Sequence, residues 1–274
     1  MNKNKIPTLI GVIILVASLA TGVFFIENIA IFRLGAVSQS IPQMVLISNI
    51  SDTSFSVSWI TAKETVGYVK YGENPSYLNK TESENAPSAT FTHLITVTGV
   101  KTNTLYFFRI YSENVGFDDN GSLWQVKTAT SLPQNYKSVV LSGSVYASTS
   151  IPESDALVFI DIDGAELLSA KTASDGSWLI STAMLHTKNL KSFFAVDEKN
   201  TLIKITVNSP KGSSFAYVYP ISAKPVPTMT IGNRYDYRKI PTIDSEEIPK
   251  ANLDIGHLRD EPSIISPSTV NTNQ

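Results

Sequence analysis

From Ile6 to Ile26 nearly every side chain is apolar, and no ionisable residue interrupts the run between Lys5 and Glu27. At 1.5 Å per residue, a helix over this stretch matches the roughly 30 Å hydrocarbon layer of a bilayer, so residues 6–26 are predicted to form a transmembrane signal anchor. Lys3 and Lys5 precede the run and only Arg33 closely follows it. The positive-inside rule then leaves residues 1–5 in the cytoplasm and the C-terminal bulk outside. The competing reading is a secretory signal cleaved near Ala36 or Ser38. Against it stands the length of the apolar core, since cleaved signals carry about 7 to 15 such residues.

Beyond residue 40 the pattern changes to short alternating segments punctuated by Asn, Asp, Gly, Pro and Ser, with no long helical period. Half-buried antiparallel strands read this way. The expected fold class is all-β, with two tandem antiparallel β-sandwiches at 40–131 and 137–222 joined by a linker over 131–135. In the first block Phe55, Val57 and Trp59 alternate with Ser54, Ser56 and Ser58, placing three large apolar groups on one strand face. Further strands are predicted over 66–71, 92–98, 104–110 and 123–128. The second block contains Val140 to Val145, the apolar run Ala156 to Ile160, and Trp178 and Ile180, with later strands over 193–196, 202–207 and 215–219. Asp175-Gly176 carries a hairpin signal, because Gly adopts the positive φ that the turn needs. From 223 to 274 a Pro-rich, polar stretch has too little apolar surface to offset ordering entropy, and a disordered tail is expected. Within it, Ile231 to Tyr237 is the candidate for a short strand or docking peptide.

The spacing of Val100, Thr102, Thr104, Tyr106 and Ile110, with Trp59 on an early strand and the ending Val126-Lys127-Thr128, resembles a fibronectin type III domain. That resemblance implies a core role for Trp59 and a tyrosine corner at Tyr106, whose hydroxyl would bond upstream backbone. The family usually has Pro where Thr102 stands, which implies a less rigid turn before Tyr106. Tyr68-Val69-Lys70-Tyr71-Gly72 and His93-Leu94-Ile95-Thr96-Val97 are similar to the branch of the family fused ahead of purple acid phosphatases. In the second block, the Gly143-Ser144-Val145 opening and the stretch Thr172 to Trp178 resemble carboxypeptidase-regulatory-like or prealbumin-type sandwiches, with Trp178 in the core.

Cysteine is absent. Disulfides, thiolate metal sites and lipidated cysteines are therefore excluded, and the modules rest on their apolar cores, as suits a bacterial surface protein. Sequons at Asn49, Asn79 and Asn120 are expected by chance in a chain rich in Ser and Thr. The net charge of −2, without a basic run, leaves no electrostatic footprint for nucleic acid.

Candidate chemistry is sparse. His93, His186 and His257 fall in three separate segments, so no histidine-centred metal or triad site is expected, and His93 reads as a strand-surface residue. Asp161-Ile162-Asp163-Gly164 begins like a calcium loop, but the third oxygen ligand is missing and Thr172 stands where the closing acid belongs, so a turn is expected. No phosphate loop, nucleophile elbow or paired-carboxylate constellation is found, and neither catalysis nor a cofactor is expected. The candidate ligand loop is Gly116, Phe117, Asp118, Asp119, Asn120, Gly121 and Ser122, read as the connection between the last two strands of the first sandwich.

Three functional readings follow. The first is a membrane-anchored protein that presents the sandwiches extracytoplasmically for adhesion to an extracellular protein or glycan, without catalysis. The second is a structural spacer or envelope-assembly component whose tail binds the partner. The third is an accessory subunit of an exported hydrolase.

Overall fold

The computed structural model describes residues 39–84, 88–133 and 138–239. The apolar run at 6–26, the end of the linker at 134–135 and the chain from 240 onward lie outside the described residues.

The first sandwich comprises β1 (Gln43–Ser48), β2 (Ser54–Thr65), β3 (Gly67–Gly72), β4 (Lys80–Ser83), β5 (Thr90–Thr98), β6 (Leu105–Ser112), β7 (Val115–Phe117) and β8 (Trp124–Lys127). One sheet has the order β1-β2-β5; the other runs β4-β3-β6, with β7 and β8 both pairing to β6. All of these pairings are antiparallel. Period-two alternation fixes the core: Phe55, Val57 and Trp59 of β2 face Ile95 and Val97 of β5 and Val69, Tyr106, Phe108 and Ile110 of the opposite sheet.

The second sandwich comprises β9 (Val140–Ser148), β10 (Ile151–Pro152), β11 (Leu157–Asp161), β12 (Leu168–Lys171), β13 (Ser177–Ser181), β14 (Ile203–Ser209), β15 (Gly212–Val218), β16 (Met229–Thr230) and β17 (Arg234–Asp236). Its sheets are β10-β9-β13, with β16 parallel to β9, and β12-β11-β14-β15-β17, with β17 parallel to β15. Leu141, Val158, Ile160, Trp178, Ile203 and Ile205 fill the space between them.

Several expectations are corrected. Residues 223–239 are not tail: Ala223, Val226 and Met229 are buried in the second core, and Tyr235 and Tyr237 pack against it. Their spacing among prolines hid enough apolar area to cover an open sheet. The Asp175-Gly176 turn is not a hairpin. Gly176 has φ +78°, but β12 pairs with β11 and β13 with β9, so the turn carries the chain from one sheet to the other. A Cβ at Gly176 would lie 2.3 Å from the Val145 carbonyl oxygen, which demands glycine independently of φ. Residues 193–196 form no strand; Phe193 makes an isolated bridge to His186.

The two sandwiches pack through the outer faces of β1-β2-β5 and β11-β12. Ile60, Leu157 and Phe159 are buried there, with Leu46, Leu94 and Leu167 around them. This explains why β11 reads as a continuous apolar run: Val158 and Ile160 face its own core while Leu157 and Phe159 face the neighbouring module. It also explains the fully buried Ser48, Ser56 and Ser58 on a nominally exterior face. Polar pairing completes the contact. Ser169 N–H donates to Asn49 Oδ1 at 2.9 Å, Asn49 Nδ2 donates to the Ser169 carbonyl at 3.1 Å, and Asn49 N–H donates to the Leu167 carbonyl at 2.8 Å. Lys171 Nζ donates to the Thr92 carbonyl at 3.1 Å and sits near Glu84 and Asp155 carboxylates at 3.4 and 3.2 Å.

Candidate interaction surface

At the end of the first sandwich the Tyr106 hydroxyl accepts the Lys101 N–H at 2.9 Å. This is the corner expected of that tyrosine. Thr102, where proline was expected, donates its hydroxyl to the Ala129 carbonyl at 2.9 Å, tying the turn to the chain after β8 by a side chain instead of a ring. Trp59 is fully buried and stacks on His93 with ring centroids 4.7 Å apart. Trp178 is buried in the second core and lies over Gly143, where a Cβ would come within 2.9 Å of the indole. These three aromatic residues support the scaffold.

Asp118 to Ser122 of the candidate loop connect β7 and β8, the last two strands of the first sandwich, as expected, whereas Gly116 and Phe117 do not lie in the loop. The turn after β6 is Glu113-Asn114, both at positive φ, and the chain returns along β6 first as β7 and then as β8. Gly116 and Phe117 are therefore ladder residues in β7, opposite Tyr111 and Ile110. Asp118 to Ser122 bulge from the middle of this edge. Asn120 (φ +52°) and Gly121 (φ +92°) form a two-residue turn closed by reciprocal Asp119–Ser122 backbone hydrogen bonds of 2.8 and 3.0 Å. Asp118 holds the excursion in place by accepting the Gly121 N–H at 2.9 Å and pairing with Arg109 at 3.2 Å.

Beside the bulge lies a partly exposed polar-aromatic surface. Tyr68 and Tyr111 stack with centroids 4.8 Å apart, and Lys70 Nζ lies 5.0 Å from the centre of the Tyr111 ring. Gly116 is the residue that lets the edge approach this group, since a Cβ there would meet the Tyr111 ring and the Arg109 stem at 3.0 and 3.1 Å. Side chains of both charges and two tyrosines thus adjoin the bulge on one sheet. Such a surface suits recognition of a protein or glycan by hydrogen bonds, ion pairs and aromatic contact.

Residues 42–141 match the family model for the N-terminal domain of purple acid phosphatase. This accords with the fibronectin type III-like strand order of the first sandwich. No curated protein matches the chain. Among solved structures, the structure of PhoD is similar at 11% identity over 37% of this chain, with a TM-score of 0.27; the chain covers 22% of that protein's length. The sensor domain of the anti-sigma factor RsgI4 of Pseudobacteroides cellulosolvens is 19% identical over 34% of this chain and 98% of its own, with a TM-score of 0.21. The central fibronectin-III array of RIM-binding protein is 16% identical over 61% of this chain and 58% of its own, with a TM-score of 0.23.

The remaining sequence candidates sort by geometry. His93 is corrected from surface to core: it is 1% exposed, and its Nε2 lies 3.0 Å from the Thr65 hydroxyl. Burial, reinforced by the Lys171 charge, pushes its pKa down to about 4. The signal was present in the alternation, since His93 has the same strand parity as Ile95 and Val97. His186 is also buried, with Nδ1 2.8 Å from the Met184 carbonyl and its pKa lowered chiefly by desolvation. It lines a cleft of about 300 Å³ with Phe193, Met184 and Asp52. Asp161 to Gly164 makes a turn, with Gly164 at φ +80° and the Ala165 N–H bonded to the Ile162 carbonyl. The Asn49 side chain is committed to Ser56 and Ser169, so this sequon is not free to carry a glycan.

Proposed function

We propose that this chain is a membrane-anchored, extracytoplasmic, non-catalytic protein that presents its two sandwiches for adhesion or for binding a protein or glycan. The supporting observation is the edge bulge at Asp118 to Ser122 beside Tyr68, Lys70, Arg109 and Tyr111 on a fibronectin type III-like sheet. The apolar run at 6–26 with its flanking lysines supports the topology. Binding of the full-length protein to cell-surface and matrix fractions tests this reading. Replacing Phe117, Asp118 and Asp119 together by Ser should abolish capture; undiminished capture refutes the loop assignment.

A second reading, a spacer or assembly component, is favoured by the interface between the modules. A layer containing Phe159 and Leu157 joins them, so the pair acts as one arm. In that case the segment beyond Lys239 carries partner specificity. Truncation after Lys239 should then abolish capture while the bulge variant retains it. The match of residues 42–141 to a phosphatase-associated domain supports the third reading, an accessory subunit of an exported hydrolase. It requires the purified protein to enhance hydrolase activity in a membrane extract.

A further inference from the structure

On the side of the molecule where β1 of the first sandwich meets β14 and β15 of the second, a groove of about 480 Å³ remains open. Its floor is the outer face of the five-stranded sheet. Phe215 lies at its centre, with Lys204 Nζ 5.9 Å and the Arg234 guanidinium 5.3 Å from the ring centroid. Neither cation has a carboxylate partner among the described residues, and no acidic side chain lines the groove. Both place positive charge over a half-buried aromatic platform without a direct ion pair, although Asp161 stands opposite Lys204 in the ladder.

The decisive group is Asn208 at the back of the groove. It is 4% exposed, and its Oδ1 is buried without a hydrogen-bond partner. An orphaned buried acceptor costs about 1 to 3 kcal/mol, and Asn208 carries that cost beside Leu157 on the neighbouring strand. Oδ1 itself is sealed from solvent, so a ligand hydroxyl would satisfy it only once the amide turns toward the groove. The Thr206 and Ser213 hydroxyls, also without hydrogen-bond partners among the described residues, add further polar capacity to the groove wall. Met44 forms the rim from a bulge in β1, at φ +54° and 54% exposed. Bulges of this kind re-aim an edge strand beside binding sites.

We propose that this groove binds an acidic oligosaccharide, whose carboxylate or phosphate pairs with Lys204 and Arg234 while a sugar hydroxyl donates to Asn208 Oδ1 once the amide turns toward the groove. Two cations call for an anion, and the unsatisfied amide and free hydroxyls call for a polyhydroxylated one. The site is separate from the bulge at Asp118 to Ser122, and the proposal does not depend on that surface or on membrane anchoring.

The test is calorimetric titration of the full-length protein in detergent with oligogalacturonate and with phosphopentamannose, using neutral cello-oligosaccharide and polyglutamate as controls. Saturable binding of either acidic sugar is expected, weakening with salt, and the bound probe identifies the acid group. The double variant Lys204→Gln, Arg234→Gln should lower affinity by about tenfold or more. Asn208→Leu should also weaken binding, with a melting temperature unchanged or raised, because it removes an unsatisfied acceptor. Lys188→Gln, outside the groove, should bind as the native protein does. Failure of both acidic sugars overturns the proposal, as does affinity unchanged in the double variant. Equal binding of polyglutamate, insensitive to Asn208→Leu, would overturn it in favour of an acidic peptide. Any of these results leaves the bulge reading standing, because that reading is tested by variants at Phe117 to Asp119.

Discussion

His93 shows how one side chain couples burial to pH. Its pKa falls from 6.5 to about 4 because desolvation disfavours the imidazolium, with the nearby Lys171 charge acting in the same direction. The unfolded chain binds the proton more readily, so the contribution is fully present above about pH 6.5 and is lost as pH falls towards 4. The shift corresponds to about 3 kcal/mol of stability. Thermal melting of the native protein should fall steeply across that window. His93→Phe should flatten the slope while leaving a residual part from His186, whose pKa is also lowered. A slope identical to that of the native protein would exclude His93 as its source. At the tyrosine corner, Tyr106→Phe strands the Lys101 N–H and should cost about 1 to 3 kcal/mol in denaturant titration. The corner was readable from the spacing around Tyr106. The burial of His93 was missed because residue type outweighed strand parity.

Among the elements, β11 and the segment after Ser222 carry the testable consequences. Phe159 faces the neighbouring sandwich and not its own core, so Phe159→Ala should cost about 3 to 5 kcal/mol and act mainly on the junction. Calorimetry should show a single transition in the native protein and two in the variant. One undivided transition in the variant would mean that the polar bridge from Asn49 to Ser169 suffices alone. Truncation after Lys239 should leave melting unchanged, whereas truncation after Ser222 removes Val226 and Met229 from the second core and should lower the melting temperature sharply. β17 falls within the Ile231 to Tyr237 stretch named as a candidate short strand, whereas β16 was not legible because it is two residues long and follows closely spaced prolines. Their stability comes from parallel pairing to β9 and β15, which no local pattern encodes.

For the molecule as a whole, topology is the first quantity to establish. A C-terminal tag on cells carrying the full-length protein should remain with the membrane fraction and be removed by external protease. Release of a shortened protein into the medium would instead establish signal cleavage. In either case the two sandwiches travel together, because both fall within one compact unit. Binding surfaces on this unit hold a set spacing, and the groove between β1 and β15 exists only because both modules contribute walls.

Alternation of apolar and polar residues determined the all-β class, the inner faces of both sandwiches and the corner at Tyr106, because each depends on neighbours along a strand or on a short turn. Local pattern alone could not assign the outer faces. Ser56, Ser58 and Leu94 look like exterior positions until β11 and β12 cover them. The same holds for the folding back of residues 223–239 and for the pairing of Lys204, Asn208 and Arg234 in one groove. These features arise where surfaces distant in sequence meet, and only tertiary packing decides which surfaces those are.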